Sequence, residues 1–169
     1  MLQELTAEIE ETARAVVNDI HTAIPGKIVS YNANKCTVTV NPVGKFITSD
    51  DVELDYPTIT EVPVVFPVCQ STGTGMAFPV KKGDSCLIIV SEVELDSWRS
   101  DAESDGSLRF DLTSAVVIPG LLKKGNAISK KAAKENAVVV GAGDVTLTVS
   151  RKGVTIDGNL TVTGDIKKS

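Results

Sequence analysis

Residues 137–163 read as a series of short β-strands, 137–140, 145–150, 154–157 and 160–163, punctuated by glycine and asparagine. Val145, Leu147 and Val149 alternate with Thr146, Thr148 and Ser150, and Leu160 and Val162 alternate with Thr161 and Thr163. Successive side chains of a strand point to opposite faces, so one face of this segment is apolar and the other carries hydroxyls. Strands this short and this few do not enclose a core of their own. The apolar face therefore needs a cover. No helical period runs through these residues, and the threonine row suits an outer surface. The expectation is that residues 137–169 wind together with the same segment of other copies into a β-helix or β-prism with few free edges. Three copies make the simplest closed arrangement, a homotrimer.

Upstream of this tail the period of the sequence changes twice. Leu2, Leu5, Ile9, Thr12 or Ala13, Val16 and Ile20 recur at intervals of three and four, with Glu4, Glu8, Glu10, Glu11 and Arg14 on the other faces. This predicts an amphipathic helix of about 22 residues, ending at Pro25-Gly26, within residues 1–24. Its narrow, heptad-like stripe suits packing on the next domain or on copies of itself, although three heptads alone are marginal. From Gly26 the period becomes two. Lys27 to Tyr31, a turn at Asn32-Ala33-Asn34, and Lys35 to Asn41 predict a β-hairpin. Further strands are expected at 62–68, 85–90 and 115–118. The run 85–90 is apolar enough for a central strand covered on both faces, whereas Pro63 and Pro67 confine theirs to an edge, an end or a bulge. With turns at Gly73-Thr74-Gly75 and Lys81-Lys82-Gly83-Asp84 and a short helix at 94–99, residues 25–122 fit a small OB-like barrel. Residues 123–136 read as a basic, alanine-containing connector.

Composition narrows the function. A net charge of −5 with a pI near 4.9 opposes nucleic-acid binding, which rests on clustered Lys and Arg. No apolar run approaches the roughly 20 residues that span a bilayer. The start MLQELTAEIEET lacks the basic and apolar regions of a signal peptide, so synthesis as a soluble cytosolic chain is expected. Cys36, Cys69 and Cys86 are far apart, form no CxxC motif and sit in or beside strand-like runs, which predicts three buried free thiols.

Candidate chemistry is sparse. His21, the one histidine, has no His or Cys at helical spacing to complete a zinc site or a dyad, and reads as a surface or capping residue. Gly73-Thr74-Gly75 and Gly141-Ala142-Gly143 begin like phosphate loops, but Phe78 and Thr146 occupy the third glycine position and no Gly-Lys-Ser or Gly-Lys-Thr follows. Glu92, Glu94, Asp96, Asp101, Glu103 and Asp105 form an acidic patch without an apolar pocket to raise one pKa, and residues 100–106 read as solvated loop. Aromatic residues make up 4% of the chain, too few for a base-stacking groove. Lys123, Lys124, Lys130, Lys131 and Lys134 read as a soluble connector rather than a patch for an acidic hub or lipid headgroups. No catalytic, cofactor or metal residue is expected, and the protein reads as a non-enzyme.

The order of helix, small barrel and strand-rich tail resembles the membrane-piercing baseplate spikes of contractile phage tails and phage-tail-like bacteriocins. The stretches that carry the likeness are Gly26 to Tyr31, Cys36 to Pro42, Val62 to Pro67, Phe78 to Ile88, Leu95 to Trp98, Phe110 to Ala115 and Ile118 to Gly120. The resemblance implies a homotrimer on the virion or tail-like particle, its barrel docked on the tail hub and its three tails forming a needle driven through the target envelope. Several relatives hold iron at the tip with a His-x-His pair. Here His21 is remote from the tail, so no such site carries over, and a separate tip-capping protein is plausible beside the polar end at 164–169. From another class, an oligomeric OB-type adaptor or oligonucleotide-binding module is the main alternative, and a cell-wall hydrolase comes third.

Overall fold

The computed structural model describes residues 2–18, 20–48, 52–103 and 109–167. They fall into two compact units divided between Leu121 and Leu122. In the first, helix α1 (Leu2–Asn18) precedes β1 (Ala23–Asn32), β2 (Thr37–Pro42), β3 (Lys45–Ile47), β4 (Glu53–Asp55), β5 (Ile59–Pro63), β6 (Val68–Cys69), β7 (Thr74–Gly75) and β8 (Ser85–Val90). A short helix α2 (Leu95–Arg99), a 3-10 turn (Leu112–Ser114) and β9 (Ala115–Pro119) complete it.

One antiparallel five-stranded sheet, in the order β5-β2-β1-β8-β9, carries the core. The sheet curls into a half-barrel. Just past β5, a parallel bridge joins Val64 to Val117, and the Val65 amide donates to the Val117 carbonyl at 2.8 Å. Ile28, Val38, Val40, Cys86, Ile88 and Val117 are the largest fully buried side chains, each contributing about 1.5–3 kcal/mol of apolar burial where it is an aliphatic. A bulge in β1 between Ile28 and Ser30 sharpens the curl. The β1–β2 turn is fixed by Asn32, whose Oδ1 accepts from the amides of Asn34 (3.1 Å) and Lys35 (3.2 Å).

Several expectations shift. The helix is shorter than expected, 17 residues, and Pro25-Gly26 lies inside β1 rather than ending α1. The reason for Gly26 is space: a Cβ there would stand 2.7 Å from Ile88 Cδ1 and 2.9 Å from Val40 Cγ2. The run 62–68 is not one strand, because β5 ends at Pro63 and a separate hairpin of β6 and β7 begins at Val68. Strand β8 is paired on both edges, yet only Cys86, Ile88 and Val90 are buried while Leu87 and Ile89 are half-covered.

In the second unit, α3 (Ala127–Glu135) occupies most of the expected connector. Asn126 caps it, its Oδ1 accepting from the Ser129 amide at 2.8 Å, and Asn136 ends it in the left-handed conformation. Strands β10 (Val138–Ala142), β11 (Val145–Ser150) and β12 (Gly153–Asp157) follow as an antiparallel meander. A single chain thus folds this region as a three-stranded sheet, not as a β-helix. The fourth expected strand, 160–163, is not formed, and Leu160 and Val162 are exposed.

Candidate functional site

Directly opposed residues of an antiparallel ladder share a face. Val138 pairs with Val149, Val140 with Leu147 and Ala142 with Val145; Leu147 pairs onward with Ile156 and Val149 with Val154. Eight aliphatic side chains therefore line one face of the β10–β12 sheet. Within the chain they are poorly covered: Val138 is 66% exposed, Val154 63% and even the central Leu147 37%. A contiguous apolar surface of this kind marks an interaction site.

The opposite, hydroxyl-bearing face is the covered one, which reverses the expectation that the threonines face outward. Helix α3 lies on it. A Cβ at Gly141 would meet Ile128 Cδ1 at 3.3 Å, and Lys131 Nζ donates to Thr146 Oγ1 at 2.8 Å while pairing with Asp157 at 3.0 Å. Thr148 is 5% exposed, and its Oγ1 has no hydrogen-bond partner among the described residues. The sheet thus spends its polar face on its own helix and leaves its apolar face open. Lys131, expected among freely solvated connector lysines, is the residue that ties helix to sheet. Asn126 three residues before Ser129 was the available signal, since an Asn at that spacing caps a helix and so sets which side chains face the sheet.

The other candidates are dispersed. His21 lies after α1, not within it, and stacks edge-on against Tyr56 with ring centroids 5.7 Å apart; Tyr56 in turn contacts Phe46 at 5.3 Å. These rings line a cleft with Lys45, Ile47, Pro57 and Leu112. Nearby, Asp111 accepts from the Thr113 hydroxyl at 2.5 Å and its amide at 2.8 Å. Those bonds hold the Asp111 carboxyl below its ordinary range against the opposing effect of burial, with His21 assisting.

In the acidic patch, Glu92 pairs with Arg109, Glu94 accepts from Ser97 at 3.1 Å and Asp96 lies 4.0 Å from Arg99. Asp101 and Glu103 are exposed, and Asp105 lies outside the described residues. Among the described residues no group of His, Cys, Asp and Glu is arranged to hold a metal ion. Of the three thiols, all unpaired, Cys86 is buried and pushed up to about 11 by desolvation, Cys36 is half-buried, and Cys69 is exposed in β6, against the expectation of burial. The described residues include no helix long and apolar enough to cross a membrane.

What the geometry offers is a scaffold with an open apolar surface. Residues 24–120, most of the first unit and more than half of the chain, match the family described as Phage protein Gp138 N-terminal domain. The chain belongs to this family. Gp138-type proteins are phage baseplate proteins, so the chain has a structural role in the phage tail or baseplate and a place in the virion. The matched stretch runs from β1 to the end of β9, the whole curled sheet, and stops short of α3 and the terminal sheet. A comparison with curated proteins gives no match.

Proposed function

We propose that this Gp138-family chain is the spike at the tip of a contractile tail: a homotrimer whose barrel docks on the tail hub and whose residues 137–169 join as a needle that punctures the target envelope mechanically. The observation that carries this reading is the open apolar face of β10–β12, attached to a baseplate domain. In support of an OB-type barrel, the strand order β5-β2-β1-β8-β9 with its parallel Val64–Val117 bridge follows that fold's connectivity. No bond is made or broken in this role. Force comes from sheath contraction, and the chain supplies stiffness through interchain backbone ladders and a shared apolar interior.

Side-chain burial alone comes out of the same order as the cost of associating. Covering the remaining half of Val138, Val140, Val145, Leu147, Val149 and Val154 adds about 1 kcal/mol each, against an association cost of about 4–15 kcal/mol. The unpaired edges of the sheet and residues 160–163, with Leu160 and Val162 exposed, offer the additional strands.

Light scattering on the purified chain tests the reading. A trimeric mass that requires residues 137–169 supports it, and a monomer unaffected by their removal rejects it. Tight, salt-sensitive binding of single-stranded DNA would favour the adaptor or oligonucleotide-binding alternative instead.

A further inference from the structure

Helix α1 presents a second apolar surface, left open by the described residues of the first unit. Leu5 is 56% exposed, Ile9 61% and Val16 58%. Together with Thr12 they follow the spacing four, three, four. That is the seam of a coiled coil, with Ile9 and Val16 at the a positions and Leu5 and Thr12 at the d positions. Glu4, Glu10, Glu11 and Arg14 fall outside the seam, and only Glu8 flanks it. We propose that α1 associates with α1 of other copies as a parallel coiled coil, a self-association element N-terminal to the family domain as the apolar sheet is C-terminal to it.

The occupant follows from three observations. The described residues of the chain's own first unit leave these side chains open, so the helix is not a lid on its barrel. A lipid surface is the wrong chemistry, because the helix carries Glu4, Glu8, Glu10 and Glu11 against Arg14, whereas interfacial helices carry Lys and Arg on the polar face. The a and d spacing of Leu5, Ile9, Thr12 and Val16, bordered by Ala13 at e and exposed Val17 at b, fits a like helix running alongside. In a parallel register the flanking Glu8 meets Ala13 of the neighbouring copy, so the seam sets no like charges together. Seventeen residues span about 25 Å and do not associate stably in isolation. The inference therefore rests on the association of residues 137–169 proposed above, which holds the helices at an effective concentration of about millimolar. Rotational symmetry about the tail would also point the helices the same way.

Cysteine cross-linking in the full-length chain tests this, in a Cys69→Ser background that removes the exposed thiol. Under mild oxidation, Leu5→Cys on the seam should form interchain disulfides about tenfold or more faster than Arg14→Cys on the outer face, because a disulfide needs Cα atoms within about 7 Å. Light scattering on the same samples reads the mass. A multimer in which Leu5→Cys links no faster than Arg14→Cys overturns the coiled coil while leaving the tail association standing. A monomer overturns both. Preferential linking of a Leu5→Cys chain to a Val16→Cys chain, over like with like, marks an antiparallel seam and overturns the parallel arrangement proposed.

Discussion

At Gly26 a single missing methyl group lets β1 settle against Ile88 and Val40. Replacing it with alanine puts a Cβ 2.7 Å from Ile88 Cδ1 in the buried interior of the half-barrel, and over-packing of this kind costs about 1–3 kcal/mol. Gly26→Ala should lower the denaturant midpoint of the first unit accordingly. Asp111 acts through charge. Its carboxylate caps the 3-10 turn, and removing such a cap costs about 1 kcal/mol. Because its folded pKa is depressed below the ordinary 3.8, the contribution is complete above that value and is lost as pH falls through the depressed one. The stability gap between the parent and Asp111→Ala should thus be full near neutrality and close in acid, as urea titrations at stepped pH would record. The thiols give a simpler readout. Labelling at pH 7 should modify exposed Cys69 first, half-buried Cys36 more slowly, and Cys86 only on unfolding, since burial holds it at about 11.

The elements differ in how far their sequences announced them. The alternation in β11 was plain, and its strand runs over the expected residues 145–150. Which face would be covered was not legible, because alternation specifies two faces without saying which one finds a partner. Lys131 and Ile128 decided that by seating α3 on the threonines. The helix itself was hidden in a lysine-rich stretch whose apolar positions are few. Likewise, the period of α1 was visible but its end was not, since Pro25 fits the start of a long, partly edge-exposed strand as well as the end of a helix. No local pattern distinguishes the two. At the candidate site, the apolar side chains were readable one by one, but the continuity of Val138, Val140, Leu147 and Val154 across three strands depends on register. Thr148 offers a direct check on the covered face. Its Oγ1 is buried without a partner among the described residues, so Thr148→Val, similar in shape, should stabilise the second unit by about 1 kcal/mol in thermal or chemical unfolding.

For the whole molecule, the two uncovered apolar surfaces lie outside the stretch shared with the Gp138 family, one in α1 and one in β10–β12. The family domain is thus the part built around its own core, and the flanking parts are where copies or partners have something to gain. Leu147→Asp places a charge in the middle of the open sheet face. It should weaken association by at least about 2 kcal/mol per chain while leaving the unfolding midpoint of residues 24–120 unchanged, as light scattering and hydrogen exchange of the β1–β9 amides would jointly report. An assembly formed through these two surfaces, as proposed, should not dissolve in high salt, because the surfaces offered are apolar rather than ionic.

The seating of α3 on the hydroxyl face has a bearing on the size an assembly can reach. A sheet sticky on both sides stacks without limit, each layer recruiting the next, and ends as a precipitate. Here one side is already occupied by the chain's own helix, pinned through Lys131 to Thr146 and Asp157. Association through the remaining side, as proposed, would consume it and leave the second unit no comparable face for a further layer. Growth by that route would be self-terminating, with α3 as the stop.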